Sequence, residues 1–209
     1  VLGWGGYWGW DPVENSAALP LLPLTAFVHS MMVQERRGML KLWNLALVVA
    51  AWGLAVFGTF NVRSGLVDSV HSFAQSNVGA YFLVVLAIVL VLALGLMAWR
   101  APFLRAEHDF ESLASRETTM IVNNYLFTAL TLVILGGTLF PVFSELLQGV
   151  RVTVGPPFYN EVTAPLFVLL LLLIALGTVL PWRGAALSHH ARRWRTPAIV
   201  TVVAWAALA

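Results

Sequence analysis

Cysteine is absent from the 209 residues. The chain therefore holds no disulfide, no thiolate metal site and no cysteine nucleophile. Charge is nearly as scarce: 11% of the residues are Asp, Glu, Lys or Arg, whereas a soluble domain carries roughly 25%. No internal repeat and no low-complexity linker interrupts the chain. What fills it is apolar sequence, 59% hydrophobic, in runs at Ala17–Val33, Leu42–Phe60, Ala80–Trp99, Thr119–Phe140 and Ala164–Trp182, with another beginning near Pro197. These runs approach or reach the ~20 residues that cross a bilayer, and a soluble all-helical protein does not need so many of them. The expected fold is all-α, a polytopic transmembrane helical bundle with about five complete spans, a truncated sixth and a short outer amphipathic helix. The chain starts at Val1 without a methionine and stops at Ala209 inside an apolar run. It reads as an internal segment of a longer protein, so a site seen here can be half a site.

Lysine and arginine set the orientation of such a bundle. Ten of the twelve basic residues lie on alternate connections: Arg36, Arg37 and Lys41, then Arg100, Arg105 and Arg116, then Arg183, Arg192, Arg193 and Arg195. Those connections are expected to be cytoplasmic. Residues 1–16, 61–79 and 141–163, which hold only Arg63 and Arg151, are expected to face outward. The net charge of +2 follows from this topology and calls for no nucleic-acid partner.

The first span has a clear start. Asp11 is a helix cap, Pro12 suits the first helical position and Glu14 has the capping-box spacing. Pro20 and Pro23 are expected to bend the helix. In the connection 61–79, Leu66, Val67, Val70, Phe73 and Ala74 have the spacing of a short helix lying on the membrane surface. Pro156-Pro157 is expected to break the last outer connection.

The most unusual stretch is Val1–Ala17, with Trp4, Trp8 and Trp10 among Gly3, Gly5, Gly6 and Gly9. The glycines let backbone approach a ligand closely, and the rings suit a wide, flat, apolar one. An aromatic belt at the bilayer interface would place tryptophans here too, but a belt needs no glycine.

His29 lies eighteen residues after Asp11, roughly 27 Å along a helix at ~1.5 Å per residue, and therefore in the cytoplasmic half. It is either a functional intramembrane group or an interhelical hydrogen-bond partner. His71 lies on the tryptophan side, as a ligand or as a solvated loop histidine. The two cannot serve one site. Imidazole is a common haem ligand, and a porphyrin would match the aromatic stretch. Arg63 could meet a carboxylate bidentately or anchor the interface. Asn123 and Asn124 read most simply as interhelical hydrogen-bond donors, with a quinone contact as the alternative. His108, His189 and His190 sit among charges and are expected to be solvated.

The run Trp4-Gly-Gly-Tyr-Trp-Gly-Trp-Asp-Pro-Val-Glu-Asn15 resembles the tryptophan-rich WWD signature of haem-handling membrane proteins. Its continuation with Ala26-Phe-Val-His-Ser30 is similar to the CcmF family of haem lyase subunits. Gly58-Thr-Phe-Asn-Val-Arg-Ser-Gly65, Ser69-Val-His-Ser-Phe-Ala74, Ser115-Arg-Glu117 with Asn123-Asn124, Gly137-Thr-Leu-Phe-Pro141 and Val154-Gly-Pro-Pro-Phe-Tyr-Asn160 extend the match. Tyr7 and Gly9 stand where relatives often carry bulkier aromatics.

The resemblance implies a WWD part at residues 1–79 and the start of a C-terminal membrane region at 80–209. It implies that His29 ligates a transmembrane b-type haem, and that His71 ligates the iron of an outer haem held by Trp4, Trp8, Trp10 and Asp11, with Arg63 beside it. Each histidine would have its partner ligand outside this segment. The implied reaction joins haem vinyl groups to the two thiols of a Cys-x-x-Cys-His motif in apocytochrome c. The haem chaperone CcmE, a CcmH-type subunit and membrane lipid are the implied partners, quinol is a candidate reductant, and the setting is a bacterial inner membrane. Asp11 would mainly fix the helix start. Haem transfer of the CcmC or CcsA type, without attachment, and a structural subunit of a respiratory complex are the competing readings.

Overall fold

A computed structural model describes residues 6–71, 78–108, 112–182, 195–203 and 206. Trp4, residues 72–77 and the His189-His190 pair lie outside the described residues. The protein is an all-helical bundle: α1 (Pro12–Ala18), α2 (Leu21–Arg37), α3 (Lys41–Ser64), α4 (Val78–Arg100), α5 (Arg116–Gln148) and α6 (Pro156–Val179), with a 3-10 turn at Ala101–Leu104. Residues 195–203 are also helical. Among the described residues, five segments are long and apolar enough to cross a membrane, with α1 and α2 together making the first.

Prolines set several boundaries. α1 and α2 are separated at Leu19-Pro20, as the sequence predicts. Pro23 falls in the first turn of α2, where a missing N–H is harmless. The last outer connection, expected over residues 141–163, is shorter than that. Pro141 does not end α5, which runs on to Gln148, and Pro156-Pro157 starts α6 rather than breaking a loop. Proline at the first helical positions sacrifices only an N–H that has no intrahelical partner anyway. The connection therefore shrinks to residues 149–155.

The surface helix expected after α3 is not seen in residues 65–71, which form turns. Gly65 closes α3 in the left-handed region at φ 65°, and Leu66 N–H donates to Ser64 Oγ at 3.2 Å. Val67 is 1% exposed, so this apolar residue of the connection is buried by packing instead of floating on lipid.

α2 packs on α3 and α5, α5 on α6, and α3 on α4, while α1 lies against α3 and α5. With lipid as apolar as the helices, close approach and interhelical hydrogen bonds hold such a bundle. Asn61 on α3 donates to Ser16 Oγ at 2.8 Å, and Asn15 donates to Thr138 Oγ1 on α5 at 3.3 Å. Together they pin α1 between two long helices. Ser30 donates to Asn44, whose amide donates to Gln34 Oε1 at 2.6 Å, joining α2 to α3. Trp43 Nε1 donates to Asn124 Oδ1 at 3.1 Å, so Asn124 is an interhelical partner as its position suggests.

Gly137 on α5 lets Tyr159 of α6 come close. A Cβ there would meet the Tyr159 ring and hydroxyl at 2.8–2.9 Å. Gly137→Val is expected to cost about 1–3 kcal/mol through overpacking. A lowered Tm with changed tryptophan fluorescence checks this, because Tyr159 carries Trp10 (below).

The basic connections gather at one end. Arg36 lies over the Trp182 ring at 4.5 Å and Arg116 at 5.7 Å. Arg116 N–H donates to Pro181 O at 2.9 Å, and buried Arg37 faces buried Glu117 at 3.8 Å. His108 is exposed, yet its Nδ1 lies 3.1 Å from Arg37 O. A hydrogen bond and the charge of Lys41 hold the Glu107 carboxyl below the ordinary glutamate range. That pairing is complete above the ordinary range and is lost as pH falls through the lowered value.

Candidate functional site

The opposite end is organised by the segment leading into α1. Glu14 Oε2 accepts from Gly9 N–H at 2.9 Å and Asp11 N–H at 3.2 Å, while Asp11 Oδ1 accepts from Val13 N–H at 2.9 Å. This is the capping box expected from sequence, extended by one residue's grip on Gly9. Trp10 is held with φ at 57°, the left-handed region, a conformation that costs a non-glycine residue of order 1–3 kcal/mol. Its surroundings enforce it. Asn15 donates to Trp10 O at 3.1 Å, and Trp10 Nε1 donates to Asn160 Oδ1 at 2.8 Å. The Trp10 ring stacks on Tyr159 at 4.9 Å and 9°. Trp8 meets Trp10 edge-on at 5.6 Å and is 43% exposed. One face of Trp10 thus belongs to the protein, and within residues 6–10 the open aromatic surface is supplied by Trp8 and Tyr7.

Asp11 does more than cap. The same Oδ1 lies 3.3 Å from His71 Nδ1 and accepts from Ser69 Oγ at 2.5 Å. Ser69 Oγ in turn accepts from His71 N–H at 3.0 Å. One carboxylate oxygen therefore joins the residue after Trp10 to a histidine sixty residues away. A carboxylate on Nδ1 fixes the orientation of the ring.

Arg151 braces the same turn from the α5–α6 connection. It donates to Leu66 O at 2.5 Å and to Asp68 Oδ2 at 3.2 Å, and lies 3.2 Å from Glu145. Exposed ion pairs contribute ~0–1 kcal/mol and a backbone hydrogen bond roughly 0.5–1.5 kcal/mol. Arg151→Ala is therefore expected to speed amide exchange in residues 65–71 by up to about tenfold, measured by mass spectrometry. Unchanged exchange there would remove Arg151 as a brace. Arg63, exposed near the end of α3, lines a cavity of about 440 Å³ with Val13, Ser16 and Ala17 of α1, at the same end of the bundle.

His29 lies elsewhere, two turns before Arg36 and Arg37. Asn123 Nδ2 is 3.1 Å from His29 Nδ1, and the His29 ring is 6.0 Å from that of Phe127. His29 lines a cavity of about 400 Å³ between α2, α5 and α6, with Met32, Arg116, Met120, Asn123 and Gly177 among its walls. Gly177 lets α6 come close to α5 there: a Cβ would meet Thr119 Oγ1 at 3.1 Å. The two imidazoles are thus at opposite ends of the bundle, in separate surroundings. Among the described residues, no group of three or more His, Cys, Asp or Glu could hold a free metal ion. Single imidazoles suit a metal that brings its own equatorial ligands.

Sequence reasoning missed Asn15, Tyr159, Asn160 and Arg151, which hold Trp10 and the His71 turn. Their contacts span 83 to 150 residues or run through backbone atoms. Only their neighbours in the quoted motifs hinted at them.

A bundle of apolar helices, with a capped tryptophan-bearing segment and an imidazole towards each of its two ends, is the architecture of a multi-pass membrane protein. The family model described as "Cytochrome C assembly protein" matches residues 1–67. The chain is 42% identical over 208 residues to the cytochrome c-type biogenesis protein ccl1 of Rhodobacter capsulatus, covering 99% of this chain and 32% of that protein. It is 39% identical over 208 residues to the cytochrome c-type biogenesis protein CcmF of Pseudomonas aeruginosa, covering 99% and 31%. A solved structure, "Cytochrome c Heme Lyase CcmF", superposes with a TM-score of 0.66 at 35% identity, over 89% of this chain and 26% of that one. The chain belongs to the CcmF family of cytochrome c-type biogenesis proteins, and it spans about a third of the length of the curated relatives it matches.

Proposed function

We propose that this chain supplies half of two haem sites in a haem lyase of cytochrome c maturation. The observation that carries this reading is the Asp11–His71 contact at 3.3 Å, which sets an oriented imidazole beside the tryptophan-rich segment. At this outer, periplasmic face of a bacterial inner membrane, His71 ligates the iron of the haem substrate. Trp4, Trp8 and Trp10 place its ring, and Arg63 faces a propionate. Asp11 acts through His71 as well as through the helix start.

The haem substrate, delivered by CcmE, brings vinyl groups that form thioether bonds with the Cys-x-x-Cys-His thiols of an apocytochrome c presented by a CcmH-type subunit. The protein's part is placement. Holding the reacting groups together replaces a bimolecular encounter, which is worth ~7–11 kcal/mol when alignment is good. No side chain near His71 has to act as general acid or base.

The residues around His29 fit a b-type haem. They offer one oriented imidazole, an apolar-walled cavity with Met32, Met120 and Leu173, and the cation Arg116. When bound, that haem supplies electrons, with quinol as the candidate source. His29 holds it from α2, with α5 and α6 as the other walls. Residues 1–79 form the haem-handling part and 80–209 the start of the C-terminal membrane region.

The test is an oxidised and reduced absorption spectrum of the intact protein, together with thioether formation on a supplied apocytochrome c. A b-type spectrum with attachment supports the reading. Haem absorbance without attachment in any reconstituted complex would favour a transfer protein, and the absence of haem absorbance would exclude both haem sites.

A further inference from the structure

Asn123 is the polar side chain hydrogen-bonded to the His29 ring, at 3.1 Å from Nδ1. It is 7% exposed, and its Oδ1 is buried without a hydrogen-bond partner among the described residues. Both facts fall on the wall of the His29 cavity. An amide oxygen and nitrogen exchange places by a half-turn, and their assignment follows from the hydrogen bonds they make. A haem-ligating imidazole needs Nε2 bare and Nδ1 protonated, donating to an acceptor. Turned so that Oδ1 faces Nδ1, Asn123 is that acceptor. The amide nitrogen then takes the buried position that Oδ1 leaves.

The neighbour Asn124 is committed otherwise. Its Oδ1 accepts from Trp43 Nε1 at 3.1 Å and its Nδ2 donates to Met120 O at 2.8 Å. Asn124 therefore locks α5 against α3 and fixes the rotation that brings Asn123 to α2. An amide orients the ring without adding charge, unlike the carboxylate that holds His71. The two imidazoles are in this way made electronically unequal.

We propose that Asn123 is the positioning residue of His29: as a neutral acceptor it selects the Nδ1–H form of the ring, aligns Nε2 for iron and sets the potential of the haem held there. The inference rests on His29 being a haem ligand, as proposed above.

The experiment is a redox titration of the reduced haem spectrum in the intact purified protein, comparing Asn123→Leu, Asn123→Asp and His29→Ala. A stronger acceptor on Nδ1–H makes the ligand more electron-rich and favours ferric iron. Asn123→Asp is therefore expected to lower the midpoint and Asn123→Leu to raise it. Each shift is roughly tenfold in the ferric–ferrous equilibrium, ~59 mV for a one-electron couple. Opposite shifts cannot come from a merely loosened helix contact. If Asn123→Leu loses haem, Asn123→Asp decides alone: retained haem at lower potential supports the role. Unchanged midpoints in the variants that retain haem overturn it, as does loss of haem from both, since any acceptor here has to suffice. Retention of the haem spectrum in His29→Ala overturns instead the ligand assignment beneath it.

Discussion

His71→Ala is expected to lower covalent cytochrome c maturation by about 100-fold or more while leaving the resident b-type absorbance intact. The size follows from what is removed. On the proposed reading, placement is the protein's main contribution to thioether formation, and the loss of an iron ligand forfeits about 3 kcal/mol or more of the ~7–11 kcal/mol that good alignment supplies. The fold has little reason to suffer. His71 is partly exposed and sits in a turn; Ser69 still ties that turn to Asp11, and Arg151 still grips its Leu66 and Asp68. The readout is haem-stained cytochrome c per milligram of membrane, with the reduced spectrum of the purified variant as control. Normal maturation would exclude His71 as a ligand. Asp11→Asn keeps a side-chain oxygen for the cap and for Ser69 and removes the charge facing His71, so it is expected to give an intermediate loss, about tenfold, in line with typical effects on residues that orient a metal ligand.

His29→Ala is expected to abolish the b-type spectrum of the purified protein. Among the described residues a single imidazole faces this cavity, and none of the described neighbours replaces it: Asn123 and Arg116 are not iron ligands, and methionine in place of histidine would move the spectrum visibly. The variant leaves Asn123 without its hydrogen bond, a cost of roughly 1–3 kcal/mol for a buried polar group. Ser30–Asn44 and Arg37–Glu117 still fasten α2, so the protein should remain in the membrane in normal amount. An unchanged reduced spectrum would refute the assignment.

The parts of this molecule that depend on neighbours in sequence were readable from it. The spans follow from apolar length, the split at Pro20 from proline chemistry, and the α1 start from Asp11, Pro12 and Glu14, whose hydrogen bonds form as their spacing requires. The separation of His29 from His71 followed from counting residues along one helix. What was not readable depends on which helices touch. The turn at 65–71 has helical spacing, but Ser69, Asp68 and Leu66 each find a partner on another element, and those bonds outweigh a surface helix. Asp11 was expected mainly to cap, because nothing local ties it to residue 71. Trp10 was expected to offer its face to a ligand, yet Tyr159 covers one side of it. The extension of α5 through Pro141 and of α6 from Pro156 shows the same limit: proline position within a helix decides its effect, and the helix ends come from packing.

The central claim is that two imidazoles at opposite ends of the bundle serve two distinct haems. The most direct measurement is a haem titration of purified His29→Ala and His71→Ala proteins, side by side, followed by reduced absorption spectra. Reciprocal behaviour is predicted: His29→Ala lacks the resident b-type signal but still takes up added haem, and His71→Ala keeps the resident signal but no longer takes up added haem. Loss of the same signal from both variants would contradict the claim.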